Sequence, residues 1–202
     1  TLKDVLESRK IFKSIVLFFD IGTLQYNEKR GQEHPSDYKN VTYSVAISWL
    51  DGKVVEQEIF PSFKEPFDII KDVFSKQKKK PLIELIAHNN NKYDNHFFRK
   101  DLVYHYPHMT VENFWLSTSN EKGNENSLQI KQLTKKQKQG IILEKRIKSS
   151  INLEMTLFFY GQKIITTDNW MKTNLSIAVL GKKLKRLGVV TDDELKTDYE
   201  YT

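Results

Sequence analysis

Apolar runs along the chain alternate with segments of helical or polar character. Residues 15–19 and 82–87 are apolar with little polar alternation, which predicts two strands buried on both faces of a central sheet. Residues 41–50 and 53–60 flank Asp51-Gly52, a favoured two-residue turn, and therefore predict a β-hairpin. Shorter strands are predicted at residues 111–116, 141–143 and 151–159.

Three helices are predicted from apolar positions that recur with a period near 3.6 residues. The first covers residues 67–74 and ends at a block of lysines. The second covers 93–106 and stops before a proline, and the third covers 175–187. Residues 27–40 predict a loop, and residues 119–140, the most polar segment, predict an exposed loop or insertion.

The order strand, hairpin, helix, strand and helix is typical of an α/β domain with a central mixed sheet flanked by helices. No internal repeat and no Pro- or Gly-rich linker divides the chain, so a single domain is expected over residues 1–202. The content of 39% hydrophobic and 29% charged residues is typical of a globular domain and excludes intrinsic disorder.

Cysteine is absent, which excludes disulfide bonds and thiolate metal sites and fits a reducing cytoplasm. No run approaches the roughly 20 apolar residues of a membrane-spanning helix. We therefore expect a soluble, cytoplasmic protein without a membrane partner. The net charge of +6 comes largely from lysine blocks at residues 76–80 and 131–148. Such blocks favour a phosphate-rich partner, because each neutralised phosphate releases counterions; a solvated surface is the alternative interpretation.

Two carboxylates stand where open α/β sheets usually carry functional groups, near the carboxyl ends of the predicted buried strands. Asp20 directly follows the first strand, and Asp94 comes shortly after the second. If these strands are neighbours, the pair predicts a site for a hard divalent cation. The alternative is structural, since aspartates are common in turns and at helix N-caps. His88 and His96 lack a recognised metal-ligand spacing, and His88 is predicted to make a hydrogen bond at a strand end.

Residues 87–98, Ala-His-Asn-Asn-Asn-Lys-Tyr-Asp-Asn-His-Phe-Phe, resemble the second exonuclease motif of family B DNA polymerases. In that motif an Asn four residues before the Asp, and an aromatic residue just before it, meet a single-stranded 3′ end. The resemblance implies that Asn90 and Tyr93 bind DNA. It also implies that Asp94 binds or orients a metal ion.

Two further similarities occur in the order that this family shows. Residues 18–23, Phe-Phe-Asp-Ile-Gly-Thr, resemble the first motif, Asp-x-Glu-Thr, with matches at Asp20 and Thr23. This similarity implies that Thr23 binds the single strand. Residues 176–184 resemble the Ser-Leu-x-x-Leu element of protein-primed members from small phages and linear plasmids. That similarity implies that Ser176 and Ile177 contact single-stranded DNA.

The resemblance implies a ribonuclease H-like fold and a 3′-to-5′ proofreading exonuclease that uses two Mg²⁺ (or Mn²⁺) ions. Asp20 would bridge both ions and Asp94 would support the second. The implied partners are a single-stranded DNA 3′ end, the remainder of a polymerase chain and a terminal protein. A phage-encoded protein of this kind would act in the host cytoplasm.

The sequence departs from the family pattern at two places. Gly22 occupies the position of the glutamate of the first motif and offers no metal ligand. Residues 198–202 resemble the sequence that leads toward a final Tyr-x-x-x-Asp motif, which does not follow. We therefore expect the amino-terminal part of a longer polymerase, with impaired exonuclease activity.

Two alternatives remain open at this point. The first is a nuclease-like module that has lost catalysis and binds single-stranded DNA or a replication partner, which Gly22 favours. The second is a self-contained nuclease of the same fold that acts in repair or on RNA.

Overall fold

The computed structural model describes residues 1–27, 38–116, 130–147 and 153–195, which form a mixed eight-stranded sheet with helices. The strands are β1 (Ser14–Asn27), β2 (Tyr38–Asp51), β3 (Val54–Phe60), β4 (Leu82–Ala87), β5 (Thr110–Leu116), β6 (Gly140–Ile147), β7 (Leu153–Phe159) and β8 (Gln162–Asp168). The helices are α1 (Leu2–Ser8), α2 (Lys64–Phe74), α3 (Asp94–His105), α4 (Trp170–Thr173) and α5 (Ile177–Arg186), and 3₁₀ turns cover Gln137–Gln139 and Asp192–Glu194.

The strand order across the sheet is β3-β2-β1-β4-β8-β7-β6-β5. The centre is parallel, because β4 pairs in parallel with both β1 and β8. On one side β1, β2 and β3 form an antiparallel meander, and on the other β8, β7 and β6 do the same. β5 closes that side by pairing in parallel with β6. The carboxyl ends of β1, β4 and β8 therefore point toward one edge of the sheet, with the amino ends of β4 and β8 at the other.

One face of the sheet carries the main hydrophobic core. Alternate residues of β1, such as Leu17 and Phe19, are buried there against α1, α2 and α3. Edge-to-face contacts between aromatic rings extend through this core, with the Phe63 and Phe98 ring centroids 4.7 Å apart. The core fixes α3, whose first residue is Asp94. In contrast, α5 has no buried residue.

Much of this architecture agrees with the sequence predictions. The α/β class and the mixed sheet flanked by helices are confirmed, as are the β2–β3 hairpin and the helix α2. The predicted strand at 82–87 coincides with β4, and the predicted second and late helices correspond to α3 and α5. None of the helices in the described ranges is long and apolar enough to cross a membrane.

Several of the strand and loop boundaries predicted from the sequence were wrong. The strand β1 does not end at Asp20 but continues to Asn27, because its second half pairs with β2 beyond a bulge between Gly22 and Thr23. Residues 38–40, predicted as loop, belong to β2 for the same reason, and residues 28–37 lie outside the described residues. In the predicted loop 119–140, residues 130–132 and 137–139 are helical, and residues 119–129 lie outside the described residues. The helix α1 and the strand β8 were not predicted.

Candidate active site

Asp20 and Asp94 reach the same region from two neighbouring elements. Asp20 lies in β1, two residues beyond Phe18, the last β1 residue that pairs with β4. Asp94 begins α3, which a short turn connects to the carboxyl end of β4. Because β1 and β4 are parallel neighbours, both carboxylates lie at the same edge of the sheet.

The environment of Asp94 is unfavourable for its charge. Its side chain is buried, and this burial, together with the negative charges of Asp20 and then Asp168, raises the pKa of Asp94 to about 7. The influence of Asp20 on this pKa shows that the two predicted carboxylates lie within electrostatic reach of each other. Among described residues Asp94 is the carboxylate with the largest upward pKa shift, and such shifts are typical of functional sites.

Asp168 is a third carboxylate at this edge, and sequence reasoning missed it. It ends β8 and is buried. Its Oδ1 accepts hydrogen bonds from the backbone N–H groups of Asn89 (2.7 Å) and Trp170 (2.9 Å), and its Oδ2 accepts one from Asn91 (3.1 Å). These bonds hold the turn between β4 and α3, so Asp168 fixes the backbone that leads to Asp94.

The asparagines of the turn are largely internal. Asn90 is fully buried, and its Nδ2 donates to Asn95 Oδ1 at 3.4 Å, whereas its Oδ1 is buried without a hydrogen-bond partner. Asn95 in turn donates to Asn91 and to Thr166 of β8. Asn89 adopts a positive φ of 64°, a conformation that Asn tolerates better than most residues. In this structure the Asn90 side chain is therefore not exposed to solvent. Its Oδ1, however, can still accept a hydrogen bond.

Thr23 and Tyr93 connect the first and second motif segments directly. Thr23 Oγ1 and Tyr93 Oη share a hydrogen bond of 2.8 Å across 70 residues of sequence. The Tyr93 ring is 42% exposed and lies against Phe97, with ring centroids 4.9 Å apart. Tyr93 thus offers an exposed aromatic surface held at both its hydroxyl and its ring.

An open groove of about 860 Å³ runs between the sheet edge and α5. Asp20 and His88 lie on its sheet side, and Ser176, Ile177 and Leu180 lie on its helix side. The structure therefore brings three predicted site residues, from the first and third motif segments, to one groove. Four predicted site residues do not line it: Asn90, Tyr93 and Asp94 form the adjoining turn and helix start, and Thr23 lies in β1 beyond Asp20.

Ser176 and His88 also have structural roles. The Ser176 hydroxyl is the N-cap of α5 and accepts a hydrogen bond of 3.3 Å from the Val179 N–H. His88 Nε2 lies 2.8 Å from the carbonyl oxygen of Leu175, so the predicted hydrogen bond at the strand end is confirmed. This contact joins the end of β4 to the segment that precedes α5, so it connects the two sides of the groove.

The donor set fits a hard cation only in part. Asp20 and Asp94 supply carboxylate oxygens, and Mg²⁺ in proteins is often held by one or two carboxylates together with substrate phosphates. Both oxygens of Asp168 already accept backbone hydrogen bonds, and Gly22 has no side chain to contribute. In the part of the chain that the structure describes, no group of three or more His, Asp or Glu residues is arranged to hold a metal ion.

Comparison with known proteins finds no family model that matches the chain, no similar curated protein and no similar solved structure.

Proposed function

We propose that the chain is an exonuclease-like domain that binds a single-stranded DNA 3′ end in the groove beside Asp20 and hydrolyses its terminal phosphodiester with a divalent cation. The fold expected for such a domain is ribonuclease H-like, and the parallel centre of the mixed sheet is compatible with it. We further propose that the domain belongs to a protein-primed family B DNA polymerase, as the three motif resemblances imply.

The observation that supports this function most directly is the electrostatic conflict among Asp94, Asp20 and Asp168. A buried carboxylate beside two others is unfavourable unless a cation or a proton compensates it. Asp20 and Asp94 would hold one divalent cation, completed by water and by the phosphate of the substrate. When bound, such an ion supplies an activated water and stabilises charge on the departing oxygen.

The remaining residues would bind and orient the strand. Ser176 and Ile177 line the groove, and the exposed ring of Tyr93 provides a face on which a base stacks. Asn90 would accept a hydrogen bond through its unpartnered Oδ1 after a small opening of the turn. Because a mismatched end unpairs at lower cost than a matched one, a site that accepts only single strands favours errors.

A second function is favoured by Gly22. Without the glutamate of the first motif, the domain has two available carboxylates instead of three. A module with this site would bind single-stranded DNA, or a replication partner such as a terminal protein, without cleaving DNA.

Incubation of the chain with a 5′-labelled single-stranded DNA oligonucleotide and Mg²⁺ or Mn²⁺ separates the two functions. We expect slow, stepwise shortening from the 3′ end that Asp20→Asn abolishes and that Gly22→Glu accelerates, because Gly22→Glu restores the missing ligand. Asp51→Asn is the matched control, since Asp51 is exposed at the opposite end of the sheet. A retarded but intact oligonucleotide, unchanged by Gly22→Glu, would favour the binding module.

A further inference from the structure

The two lysine blocks of the sequence meet at the edge of the sheet opposite the candidate active site. The contact point is the two-residue turn Tyr160-Gly161, which precedes β8. On one side the Tyr160 N–H donates to the Gln139 carbonyl at 2.8 Å, and the Gly161 N–H donates to the Lys138 carbonyl at 2.8 Å. These two hydrogen bonds hold the 3₁₀ turn Gln137–Gln139, which Lys136 precedes and which contains Lys138, against Tyr160-Gly161.

The first lysine block lies on the other side of the same turn. A Cβ built on Gly161 would lie 3.6 Å from Lys80 Cε and 3.8 Å from the Gln139 side chain. Gln162 also donates to the carbonyl of Pro81, the residue that follows the block. Segments that are more than 50 residues apart in the sequence thus flank one turn.

Six of these side chains form what we term the lysine surface: Lys76, Lys78, Lys79, Lys135, Lys136 and Lys138. Five of the six are exposed, and Lys138 is half-buried. None of the six takes part in an ion pair with another described residue. Lys80 differs, because its Nζ donates to the carbonyl of Phe74 and closes the end of α2.

The chemistry of the lysine surface favours a phosphate backbone over exposed bases. The ring of Tyr160 is half-buried and covered by Lys71, whose Nζ lies 4.3 Å from the ring centroid. The neighbouring rings of Phe159 and Tyr106 are buried. The three described rings at this turn, those of Tyr160, Phe159 and Tyr106, therefore offer no open face for base stacking, the interaction on which single-strand binding largely depends. Duplex DNA instead offers one negative charge for about every 1.7 Å of its axis.

We propose that the lysine surface binds the phosphate backbone of double-stranded nucleic acid, without base specificity. The surface is separate from the candidate active site, because the six residues of β4 separate the two edges by roughly 20 Å. The proposal does not depend on the exonuclease function, since it requires neither Asp20 nor a metal ion.

The test is fluorescence anisotropy of a labelled 20-base-pair blunt duplex in EDTA, titrated with protein between 50 and 200 mM KCl. Lys78→Gln/Lys79→Gln and Lys135→Gln/Lys136→Gln should each weaken binding about ten-fold or more at 100 mM salt. Each pair should also reduce the slope of log affinity against log salt by about 2, and equally for duplexes of different sequence. Lys3→Gln/Lys100→Gln, which removes two exposed lysines elsewhere, is the matched control.

Three results would overturn the proposal. The lysine pairs could behave like the control pair, which would show that the surface makes no phosphate contacts. A single strand of equal length could bind as tightly with the same dependence on the four lysines, which would exclude the duplex preference. Polyglutamate of equal charge could compete as well as the duplex, which would indicate an acidic protein partner. Asp20→Asn, which should abolish exonuclease activity, should leave duplex binding unchanged. The exonuclease proposal can therefore fail without affecting the test of duplex binding.

Discussion

At the scale of single residues, Asp94 combines two properties that structural carboxylates rarely share. It is buried, and the charges nearest to it are negative. The N-cap of α3 is Tyr93, so Asp94, the first residue of the helix, does not occupy the position of a capping carboxylate. Asp94 therefore destabilises the protein when ionised, which is the expected state of a cation ligand before the cation binds.

We expect Asp94→Asn to stabilise the metal-free protein at pH 8 and to have little effect near pH 4. The pKa of Asp94 is about 7 in the folded protein and has a usual value of 3.8. The native state thus holds its proton more tightly than the unfolded chain, and stability falls as the pH rises from about 4 to 7. The full penalty is roughly 4 kcal/mol above pH 7, from about 1.4 kcal/mol for each pKa unit. Urea denaturation at pH 4.5 and pH 8 measures this difference.

The matched control for this prediction is Asp51→Asn, which removes an exposed carboxylate and should change stability little at either pH. Millimolar Mg²⁺ should stabilise the wild type more than the Asp94→Asn variant at pH 8, because the cation compensates the charge that the variant lacks. If the Asp94→Asn variant and the wild type were equally stable at pH 8, the ionised Asp94 carboxylate would not destabilise the folded protein, and the prediction would be wrong.

At the scale of elements, Asp168 of β8 holds the backbone of the turn between β4 and α3. Asp168 contacts the backbone at both ends of Asn89–Asn91 and also the start of α4. We expect Asp168→Asn to lower the pKa of Asp94, because one neighbouring negative charge disappears. It should also destabilise the protein by about 1–3 kcal/mol, since an amide leaves at least one of these backbone N–H groups unpaired. A ¹³C NMR titration of the Asp94 carboxyl carbon measures the pKa.

Asp101→Asn controls for a purely structural effect. Asp101 also accepts a backbone hydrogen bond, at 2.6 Å from Phe63 N, but it does not contribute to the pKa of Asp94. The variant should therefore lose stability while the titration of Asp94 stays as in the wild type. If both variants shifted that titration equally, Asp168 would act only through general loosening of the fold.

The strand β8 shows where sequence reasoning reached its limit. The buried positions of β8 are Gln162, Ile164, Thr166 and Asp168, so that only one of four is apolar. The turn before it has positive φ at both Tyr160 (49°) and Gly161 (76°), and a tyrosine rarely occupies such a position. Gly161, which follows the apolar run that ends at Tyr160, was the one signal in the sequence for this hairpin turn. Because β8 was not recognised, neither was Asp168.

The elements that were predicted correctly share a simpler physical basis. β4 and β2 bury apolar side chains at alternate positions, and the Asp51-Gly52 turn of the β2–β3 hairpin has residues of ordinary type. The motif segments located Asp20 and Asp94 for the same reason, since both follow such runs. The pairing of β1 with β2 beyond Asp20, in contrast, depends on a partner strand that begins 18 residues after Asp20. Local pattern alone does not specify a contact of that range.

At the scale of the whole molecule, two apolar clusters lie in one continuous sheet. The larger extends from α1 and β2 to β7 and β8, and the smaller consists of Ile141, Leu143 and Phe158. The partly buried ion pair between Arg99 of α3 and Glu144 of β6, at 2.8 Å, joins the helical layer to the strands β5–β7. These connections predict that the described strands unfold as one unit.

We expect Leu157→Ala to destabilise the whole domain by about 2–5 kcal/mol, because Leu157 is fully buried in the larger cluster. Leu143→Ala, the same substitution in the smaller cluster, should cost less, since fewer buried side chains surround that site. A variant that keeps only Trp49 places the fluorescence probe in β2, four strands from Leu157. In urea, Trp49 fluorescence and far-UV circular dichroism should shift together in a single transition. A Trp49 transition that stayed at the wild-type midpoint in Leu157→Ala would show instead that β5–β8 unfold independently of the β1–β3 meander.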